Sequence, residues 1–179
     1  MTPQGLAYFP NVITSEEETK LMAWLETKPW SPGPGGRRVQ HYGYAYDYST
    51  KTLQAAPVIP EPLQHLATQF VEKKVLSKIP AQIIVNEYFP GQGIGPHIDH
   101  TQWFGEEVAS LSLQSATTMQ FARAGDKMEL RLDPRSLLVL AGPARWEWTH
   151  SIPARKSDVV NEVRVPRGLH VSITFRTIQ

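Results

Sequence analysis

The sequence contains no cysteine. That absence excludes a disulfide framework, a thiolate metal site and a cysteine nucleophile. It also fits a reducing compartment, so we expect a cytoplasmic protein, with the nucleus as the alternative.

Long apolar runs and a strong charge of one sign are missing as well. No apolar stretch approaches the ~20 residues that a membrane-spanning helix needs, and the N-terminus lacks the basic region and apolar run of a signal peptide. The formal net charge of +1 argues against a nonspecific polyanion binder, although a local basic patch could contact phosphates. We predict one domain over residues 1–179, large enough to bury a core and without a membrane segment.

Two segments have the pattern of amphipathic helices. The first begins at Thr14-Ser15, where hydroxyls precede three glutamates, and ends before Pro29. The second runs from Leu63 to about Leu76, with apolar residues at helical spacing. Both precede the strongest strand patterns, so we expect the helices to support one face of a sheet.

Short strands separated by turn residues dominate the rest of the chain. Gly125-Asp126 and Asp133-Pro134 are typical turn pairs between apolar runs. About eight such strands favour a mainly β, α+β fold, namely a double-stranded β-helix (jelly roll) with N-terminal helices against one sheet. We predict strands at residues 81–88, 97–99, 108–113, 117–122, 127–132, 136–141, 149–152 and 169–176.

One stretch joins a buried strand, a loop and two metal-ligand side chains. It starts with an apolar run at Ile83, is broken by prolines and glycines between residues 90 and 96, and reaches His97-Ile98-Asp99. Alternation in an extended chain places His97 and Asp99 on one face. With a second histidine they would form the two-histidine, one-carboxylate set that suits non-haem Fe(II). Such short segments also occur in simple turns, so the assignment needs a third ligand and a cosubstrate anchor.

His150 is the best candidate for the third ligand, because it follows a loop after a buried strand. Two other histidines fit less well, since His41 lies in a tyrosine-rich strand and His65 on a helix. His100 is the nearest rival, but it directly follows Asp99 and would face the opposite side of an extended chain.

The last predicted strand has one apolar and one polar face. The apolar set is Val171, Ile173 and Phe175, and the polar set is His170, Ser172, Thr174 and Arg176. If the apolar set packs against the helices, the polar set lines the interior between the sheets. A charged Arg176 in that interior needs an anion, either a dicarboxylate cosubstrate or an intramolecular Asp or Glu.

Tyrosines recur at every second residue from 42 to 48, shortly after Arg37-Arg38. The alternation of Tyr42, Tyr44, Tyr46 and Tyr48 predicts a strand with one aromatic face. These rings either pack on the sheet or form a substrate lid, in which the arginines contact phosphates and a ring stacks on a base. Different tyrosines can serve the two roles.

Together these residues resemble the AlkB family of Fe(II)/2-oxoglutarate dioxygenases. The resemblance covers residues 5–178 and rests on Asn86-x-Tyr88-x-x-Gly91, His97-x-Asp99, His150 and Ser172-x-Thr174-Phe175-Arg176. Within the family the chain looks most similar to the oxygenase domain of the branch that modifies wobble uridine in tRNA. That closer match includes Arg37-Arg38-Val39, His41-x-Gly43-Tyr44 and Trp148-Thr149-His150.

The resemblance implies a role for each matched residue. The iron ligands and catalytic residues would be His97, Asp99 and His150. The 2-oxoglutarate site would comprise Asn86, Tyr88, His170, Ser172 and Arg176, with Arg176 near the metal. The substrate mouth would include Arg37, Arg38, Tyr42, Tyr44 and Arg145.

The chain departs from the family pattern at three points. The family usually has a second cosubstrate arginine six residues before the last one, whereas this chain has His170. We therefore expect weak 2-oxoglutarate binding that improves as the pH falls below the ordinary histidine pKa of about 6.5. Second, the animal proteins of the wobble-uridine branch also carry an RNA-recognition module and a methyltransferase domain, for which this chain has no room. Third, that branch carries a cysteine-containing zinc site, whereas this chain has no cysteine.

The sequence therefore predicts an oxygenase that uses Fe(II), 2-oxoglutarate and O2 to hydroxylate or demethylate a modified nucleobase. RNA, and tRNA in particular, is the favoured substrate, and a partner protein that supplies tRNA binding is a further expectation. The alternatives are a repair demethylase of alkylated DNA or RNA bases, an oxygenase of protein side chains, and a non-catalytic binding module that has lost turnover through His170.

Overall fold

The first long helix begins where the sequence predicts, because its N-terminal residues cap it reciprocally. Helix α1 spans Ser15–Glu26. The Glu17 amide donates to the Thr14 hydroxyl over 3.1 Å, and the Thr14 amide donates to the Glu17 carboxylate over 2.7 Å. Helix α2 spans Glu61–Glu72 and ends before the predicted Leu76, since Lys74 adopts a left-handed φ of 58°.

The computed structural model describes residues 2–47 and 49–179 of the chain. Tyr48, the last tyrosine of the predicted alternation, lies outside the described residues. A third helix, α3, spans Gly142–Trp146, and a 3-10 turn spans Pro34–Gly36. The strands of the described part are β1 Leu6–Phe9, β2 Ser31–Pro32, β3 Arg38–Tyr42, β4 Tyr44–Asp47, β5 Thr52–Ala55, β6 Gln82–Tyr88, β7 Ile94–His97, β8 Phe104–Gln114, β9 Thr117–Arg123, β10 Asp126–Leu132, β11 Leu137–Leu140, β12 Thr149–Ile152, β13 Ser157–Val160, β14 Val163–Pro166 and β15 His170–Ile178.

Two antiparallel sheets form the body of the molecule. The larger sheet has the order β1-β11-β8-β15-β6-β3-β2, and the smaller has the order β10-β9-β12-β7. Two hairpins, β4-β5 and β13-β14, stand apart from these sheets. The long strand β15 lies at the centre of the larger sheet, between β8 and β6. Its polar side chains therefore lie near the middle of one face of this sheet.

The larger sheet separates two hydrophobic cores. On one face, Val171, Ile173 and Phe175 of β15 pack with Leu25 of α1 and Phe70 of α2. The other core joins residues of both sheets, including Tyr88, Phe121, Leu138, Leu140 and Ile152. The helices therefore support one sheet face, as the sequence predicts, and the polar face of β15 is turned toward the second sheet.

The glycine- and proline-rich stretch contains a strand that the sequence does not predict. Strand β7 covers Ile94–His97, whereas the predicted strand at 97–99 was placed too late. Gly95 and Pro96 fit a strand here because β7 is an edge strand of the smaller sheet, where a residue without an amide hydrogen removes no interior ladder bond.

The predicted tyrosine strand is interrupted at Gly43. Gly43 has a φ of 75°, and a Cβ at this position would meet the carbonyl oxygen of Ala81. Tyr42 ends β3, while Tyr44 and Tyr46 belong to the separate hairpin β4-β5. The single aromatic face was therefore a wrong prediction for these tyrosines.

No helix in the described part of the chain has the length and apolarity needed to cross a bilayer.

Candidate metal and cosubstrate site

The three predicted metal ligands converge at the edge of the smaller sheet. Strands β7 and β12 pair antiparallel with His97 opposite His150, so the two rings are cross-strand neighbours with centroids 4.3 Å apart. Asp99 follows β7 directly. One donor atom from each of His97, Asp99 and His150 lies within 4.8 Å of the others. His100, the rival in the sequence, does not belong to this group of described residues.

Local hydrogen bonding prepares His97 to donate a lone pair. Its Nδ1 lies 2.8 Å from the carbonyl oxygen of Gly95. A carbonyl only accepts hydrogen bonds, so Nδ1 carries the proton and Nε2 presents its lone pair. Nε2 is the atom that faces Asp99, at 3.7 Å from the Oδ1 atom. Burial lowers the pKa of His150 to about 4, so the imidazole of His150 is neutral near pH 7.

Arg176 is the immediate neighbour of the Asp99 carboxylate. Its Nη2 donates to Asp99 Oδ1 over 2.8 Å, its Nη1 donates to Gln82 over 2.9 Å, and its guanidinium stacks on Phe104. Burial opposes ionisation of Asp99, but the charge and hydrogen bond of Arg176 together with the neighbouring imidazoles outweigh burial and hold the pKa of that carboxyl well below its usual range. The intramolecular pair that the sequence left open is therefore formed, and it keeps a metal-ligand carboxylate ionised.

A trough lined by both polar and apolar side chains leads away from this pair between the two sheets. It follows β15 and β6, which pair so that Ser172 lies opposite Asn86 and His170 opposite Tyr88. Burial raises the pKa of the Tyr88 hydroxyl, whose environment includes a hydrogen bond with Ser172. The residues that line the trough include every predicted cosubstrate residue, namely Asn86, Tyr88, His170, Ser172 and Arg176.

His170 lies at the far end of the trough from Arg176 and is fully enclosed. Its Nδ1 is 2.8 Å from the carbonyl oxygen of Ser115, and its Nε2 is buried without a hydrogen-bond partner among the described residues. Burial lowers the pKa of His170 to about 4. The expectation that protonation begins below 6.5 is therefore corrected for the ligand-free protein, because desolvation disfavours the imidazolium.

Arg145 is not at the substrate mouth, contrary to the prediction. It is buried, and its guanidinium donates to the carbonyl oxygens of residues 99, 100, 104 and 105 over 2.9 to 3.4 Å. The ring of Trp146 covers it at 4.2 Å. Because these acceptors are all backbone carbonyls, Arg145 fixes the segment that carries Asp99 and is unavailable to a substrate.

Two further residues assigned to the mouth have internal partners. Tyr42 is buried in the core on the helix side, and its hydroxyl donates to Gln40. Arg38 forms a bidentate pair with Glu87, at 2.7 and 2.8 Å. The placement of Tyr42 at the mouth was therefore wrong, because β3 turns this ring toward α1 and α2. Tyr44 lies on β4 and is exposed.

Arg37 lines an open groove beside His97 and Asp99, but its side chain is buried. Its Nη1 donates to the Gly93 carbonyl over 2.9 Å, and its guanidinium lies 5.3 Å from the centre of the Tyr88 ring. The side chain amide of Gln92 donates to the Gly36 carbonyl in the same place. Both contacts tie the loop before β3 to the loop before β7, so the expected phosphate contact of Arg37 is corrected to an internal one.

An open groove of about 680 Å³ extends from the metal donors to the surface. Rings that the sequence reasoning did not assign to it line its walls: His41, Tyr46 and His100. Tyr46 and His100 have centroids 5.0 Å apart, and the Nδ1 of His41 is buried without a partner in the described part of the chain. The sequence analysis did not assign Tyr46 to this groove, because the regular alternation gives Tyr42, Tyr44 and Tyr46 the same pattern.

The chain matches a family model over residues 5–176, nearly its whole length, and that model describes the 2OG-Fe(II) oxygenase superfamily. The chain belongs to this superfamily. It is a dioxygenase of the AlkB type that depends on Fe(II), 2-oxoglutarate and O2, and the predicted recognition is confirmed.

Two relatives and one solved structure agree with this assignment. The chain is 35% identical to uncharacterized protein L905 of Acanthamoeba polyphaga mimivirus, over 97% of this chain and 85% of that one. It is 34% identical to the Mus musculus tRNA (carboxymethyluridine(34)-5-O)-methyltransferase ALKBH8, over 99% of this chain but 31% of the relative. The structure of OsALKBH1 superposes with a TM-score of 0.70 at 17% identity, over 99% and 98% of the two chains. This likeness confirms the double-stranded β-helix fold.

The residues of this superfamily member fit its metal and its cosubstrate. Two imidazoles and one ionised carboxylate form the donor set that non-haem Fe(II) takes, with further positions left open. The trough has a guanidinium beside the metal donors and an unpartnered imidazole nitrogen at its far end, as a ligand with two polar ends requires.

Proposed function

We propose that this protein oxidises a modified base of RNA, with tRNA as the favoured substrate. The observation that carries the proposal is the position of the metal donors, which open directly onto a groove lined by Tyr46, His100 and His41. Unstacked bases in RNA are recognised by stacking on aromatic and imidazole rings. A groove of about 680 Å³ is large enough for a nucleotide.

The bound iron supplies the oxidation. One atom of O2 enters a substrate C–H bond as a hydroxyl, while the other enters 2-oxoglutarate, which leaves as succinate and CO2. A hydroxyl on carbon persists, whereas a hydroxymethyl group on nitrogen releases formaldehyde, which completes a demethylation.

We assign the protein's part to specific side chains. His97, Asp99 and His150 hold the metal, and Arg176 keeps the Asp99 carboxylate ionised and receives the cosubstrate carboxylate nearest the metal. Asn86, Tyr88 and Ser172 line the middle of the trough with neutral polar groups. This trough lies between the two sheets.

Nucleic acid is favoured over protein as the substrate by the ring-lined groove and by the similarity to the mouse relative, which is named as a tRNA methyltransferase. The chain spans 31% of that relative. A partner protein that supplies tRNA binding remains our prediction. The net charge of +1 fits this division, since the chain has little electrostatic affinity of its own for a polyanion. A single domain in the cytoplasm remains our prediction.

A substrate panel tests the proposal. The protein is incubated with Fe(II), 2-oxoglutarate, ascorbate and O2, together with tRNA, methylated RNA and DNA oligonucleotides, or peptides. We expect succinate formation to rise with tRNA, and the mass of one nucleoside to gain an oxygen or lose a methyl group. Oxidation of DNA or peptides in place of tRNA would contradict the substrate class, and the absence of succinate with every member would contradict catalysis itself.

A matched pair of variants ties the activity to the metal site. Asp99→Ala should abolish tight binding of a divalent ion and all succinate formation, because the site loses one of its three protein donors. Asp126→Ala removes a carboxylate from the exposed first residue of β10 and should change neither quantity. Retention of one tightly bound metal ion by Asp99→Ala would sink the assignment of the ligands.

A further inference from the structure

The far end of the trough, at His170, is the end at which the distal carboxylate of 2-oxoglutarate would bind. A carboxylate accepts hydrogen bonds, so the residue that binds it must offer a donor. His170 is the imidazole at this end, and its Nε2 is buried without a partner among the described residues. The other ring nitrogen, Nδ1, lies 2.8 Å from the carbonyl oxygen of Ser115.

That contact decides the tautomer of the neutral ring. The Ser115 carbonyl can only accept, so Nδ1 must carry the hydrogen. In a neutral imidazole with hydrogen on Nδ1, Nε2 is a bare lone pair. A lone pair that faces an anionic oxygen repels it, and the orientation of the ring is fixed by Ser115. The neutral form of His170 is therefore unable to bind a carboxylate through Nε2.

We propose that His170 binds the distal carboxylate of 2-oxoglutarate as an imidazolium, so that each cosubstrate molecule brings one proton from solvent into the trough. The inference rests on the proposed cosubstrate role of this trough. An arginine would carry its charge permanently, whereas His170 acquires it only with the ligand.

The surroundings of the ring fit a charge that is present only with the ligand. Tyr88 from β6 faces it, with ring centroids 5.8 Å apart. Before β15, Arg167 opposes a positive charge on the ring and Asp158 favours it, but these two side chains form a bidentate pair with each other. Arg37 lies beyond the Tyr88 ring. No carboxylate contacts the ring within the described part of the chain, so an anionic ligand would be its nearest counter-ion.

A second buried group lies on the same side of the sheet. Ser112 of β8 is opposite Ser172 in the ladder, and alternation puts it on the face of Ser110, which lines the trough. The Ser112 hydroxyl is also buried without a partner in the described residues. The unpartnered Nε2 of His170 lines the trough, and the unpartnered Ser112 hydroxyl lies on the same face of the sheet; such unsatisfied buried atoms indicate that a polar ligand completes the site.

The pH dependence follows with a definite sign. Burial lowers the pKa of His170 to about 4 without ligand, and a carboxylate against Nε2 raises it in the complex. Between these two pKa values, the affinity for 2-oxoglutarate falls about tenfold for each unit of rising pH. Below the lower value the affinity no longer depends on this group.

Calorimetry on the Mn(II)-loaded protein without O2 measures the proton directly. The binding heat of 2-oxoglutarate at about pH 7 is recorded in buffers with different ionisation enthalpies, and the slope gives the number of protons taken up. Pyruvate is the matched ligand, because it has the same 2-oxo acid head without the distal carboxylate. We expect 2-oxoglutarate to take up about one proton more than pyruvate.

Three variants separate His170 from other sources of protons. His170→Arg should remove the extra proton and tighten 2-oxoglutarate binding about tenfold, since a permanent forked donor replaces a single one. His170→Gln, which offers a neutral amide donor, should also remove the proton. His65→Arg makes the same change on the exposed face of α2 and should leave the native proton count intact.

The outcomes distinguish this inference from the proposed function. Equal proton counts for 2-oxoglutarate and pyruvate in the native protein would overturn the role of His170, while leaving the cosubstrate assignment in place. An extra proton that persists in both His170 variants would overturn it as well. A protein that binds neither acid would overturn the cosubstrate assignment and this inference together.

Discussion

At the scale of single residues, Arg145 is a buried side chain that holds the backbone of the metal-ligand residue Asp99 without being a ligand itself. The sequence places it near the candidate third ligand and suggests a substrate contact. The structure gives it instead four backbone carbonyls, one of them belonging to Asp99. The sequence does not predict this role of Arg145, because the acceptors lie about forty residues away and are backbone carbonyls, which every residue type has.

Replacing this residue should loosen the metal site. Arg145→Lys exchanges a five-donor fork for a single ammonium, so we expect the free energy of unfolding to fall by about 2–4 kcal/mol. We also expect Mn(II) affinity to fall at least about tenfold, because the backbone of Asp99 is no longer held. Urea unfolding and metal titration measure the two effects. Arg123→Lys, at a half-exposed pair with Glu147, is the control and should change neither. A folded Arg145→Lys protein with native metal affinity would refute the role.

At the scale of elements, Gly43 separates the strand that packs in the core from the hairpin that borders the groove. Gly43→Ala should lower the free energy of unfolding by about 3 kcal/mol or more, since a Cβ there meets the Ala81 carbonyl in addition to the positive φ. Gly125→Ala shares a positive φ but meets nothing, and should cost about 1 kcal/mol. Equal midpoints of urea unfolding for the two variants would show that the close approach is unimportant.

Elements with local signals are predicted well from the sequence. The start of α1 after Thr14 and the two faces of β15 appear as expected. Each of these depends on neighbours within a few residues or on strict alternation.

The failures have tertiary causes. Pro96 occurs in a strand because that strand is at a sheet edge. The hairpin β13-β14 was not predicted because its turn, Asn161-Glu162, adopts positive φ at both residues without the usual glycine. Tyr46 and His100 became neighbours in the groove through the hairpin after Gly43, which sequence periodicity does not reveal.

At the scale of the whole molecule, buried groups with lowered pKa values should make the metal-free protein sensitive to acid. His150 and His170 have pKa values lowered by burial to about 4, and the pKa of Asp158 is lowered to about 2 because bonds from Arg167 and Arg155 outweigh burial. In each case the unfolded chain binds protons more readily, so the free energy of unfolding falls as the pH falls.

Two pH windows follow. Between about pH 6.5 and 4 we expect each histidine to remove about 3 kcal/mol, and between about pH 4 and 2 we expect Asp158 to remove about 1–2 kcal/mol. Urea unfolding across both windows measures the losses. His170→Gln should flatten part of the first window alone, and Asp158→Asn the second alone. A His170→Gln protein that loses stability as steeply as the native one between pH 6.5 and 4 would contradict the assignment.

The carbonyl contacts of Arg145 also bear on how this groove can diversify. Every residue type carries a backbone carbonyl, so exchanging the side chain of His100 leaves this acceptor of Arg145 in place. The framework that positions Asp99 is thereby independent of a side chain that lines the groove. A library that randomises position 100 should yield proteins with native metal affinity and altered substrate preference, which makes this position the place to begin redesign.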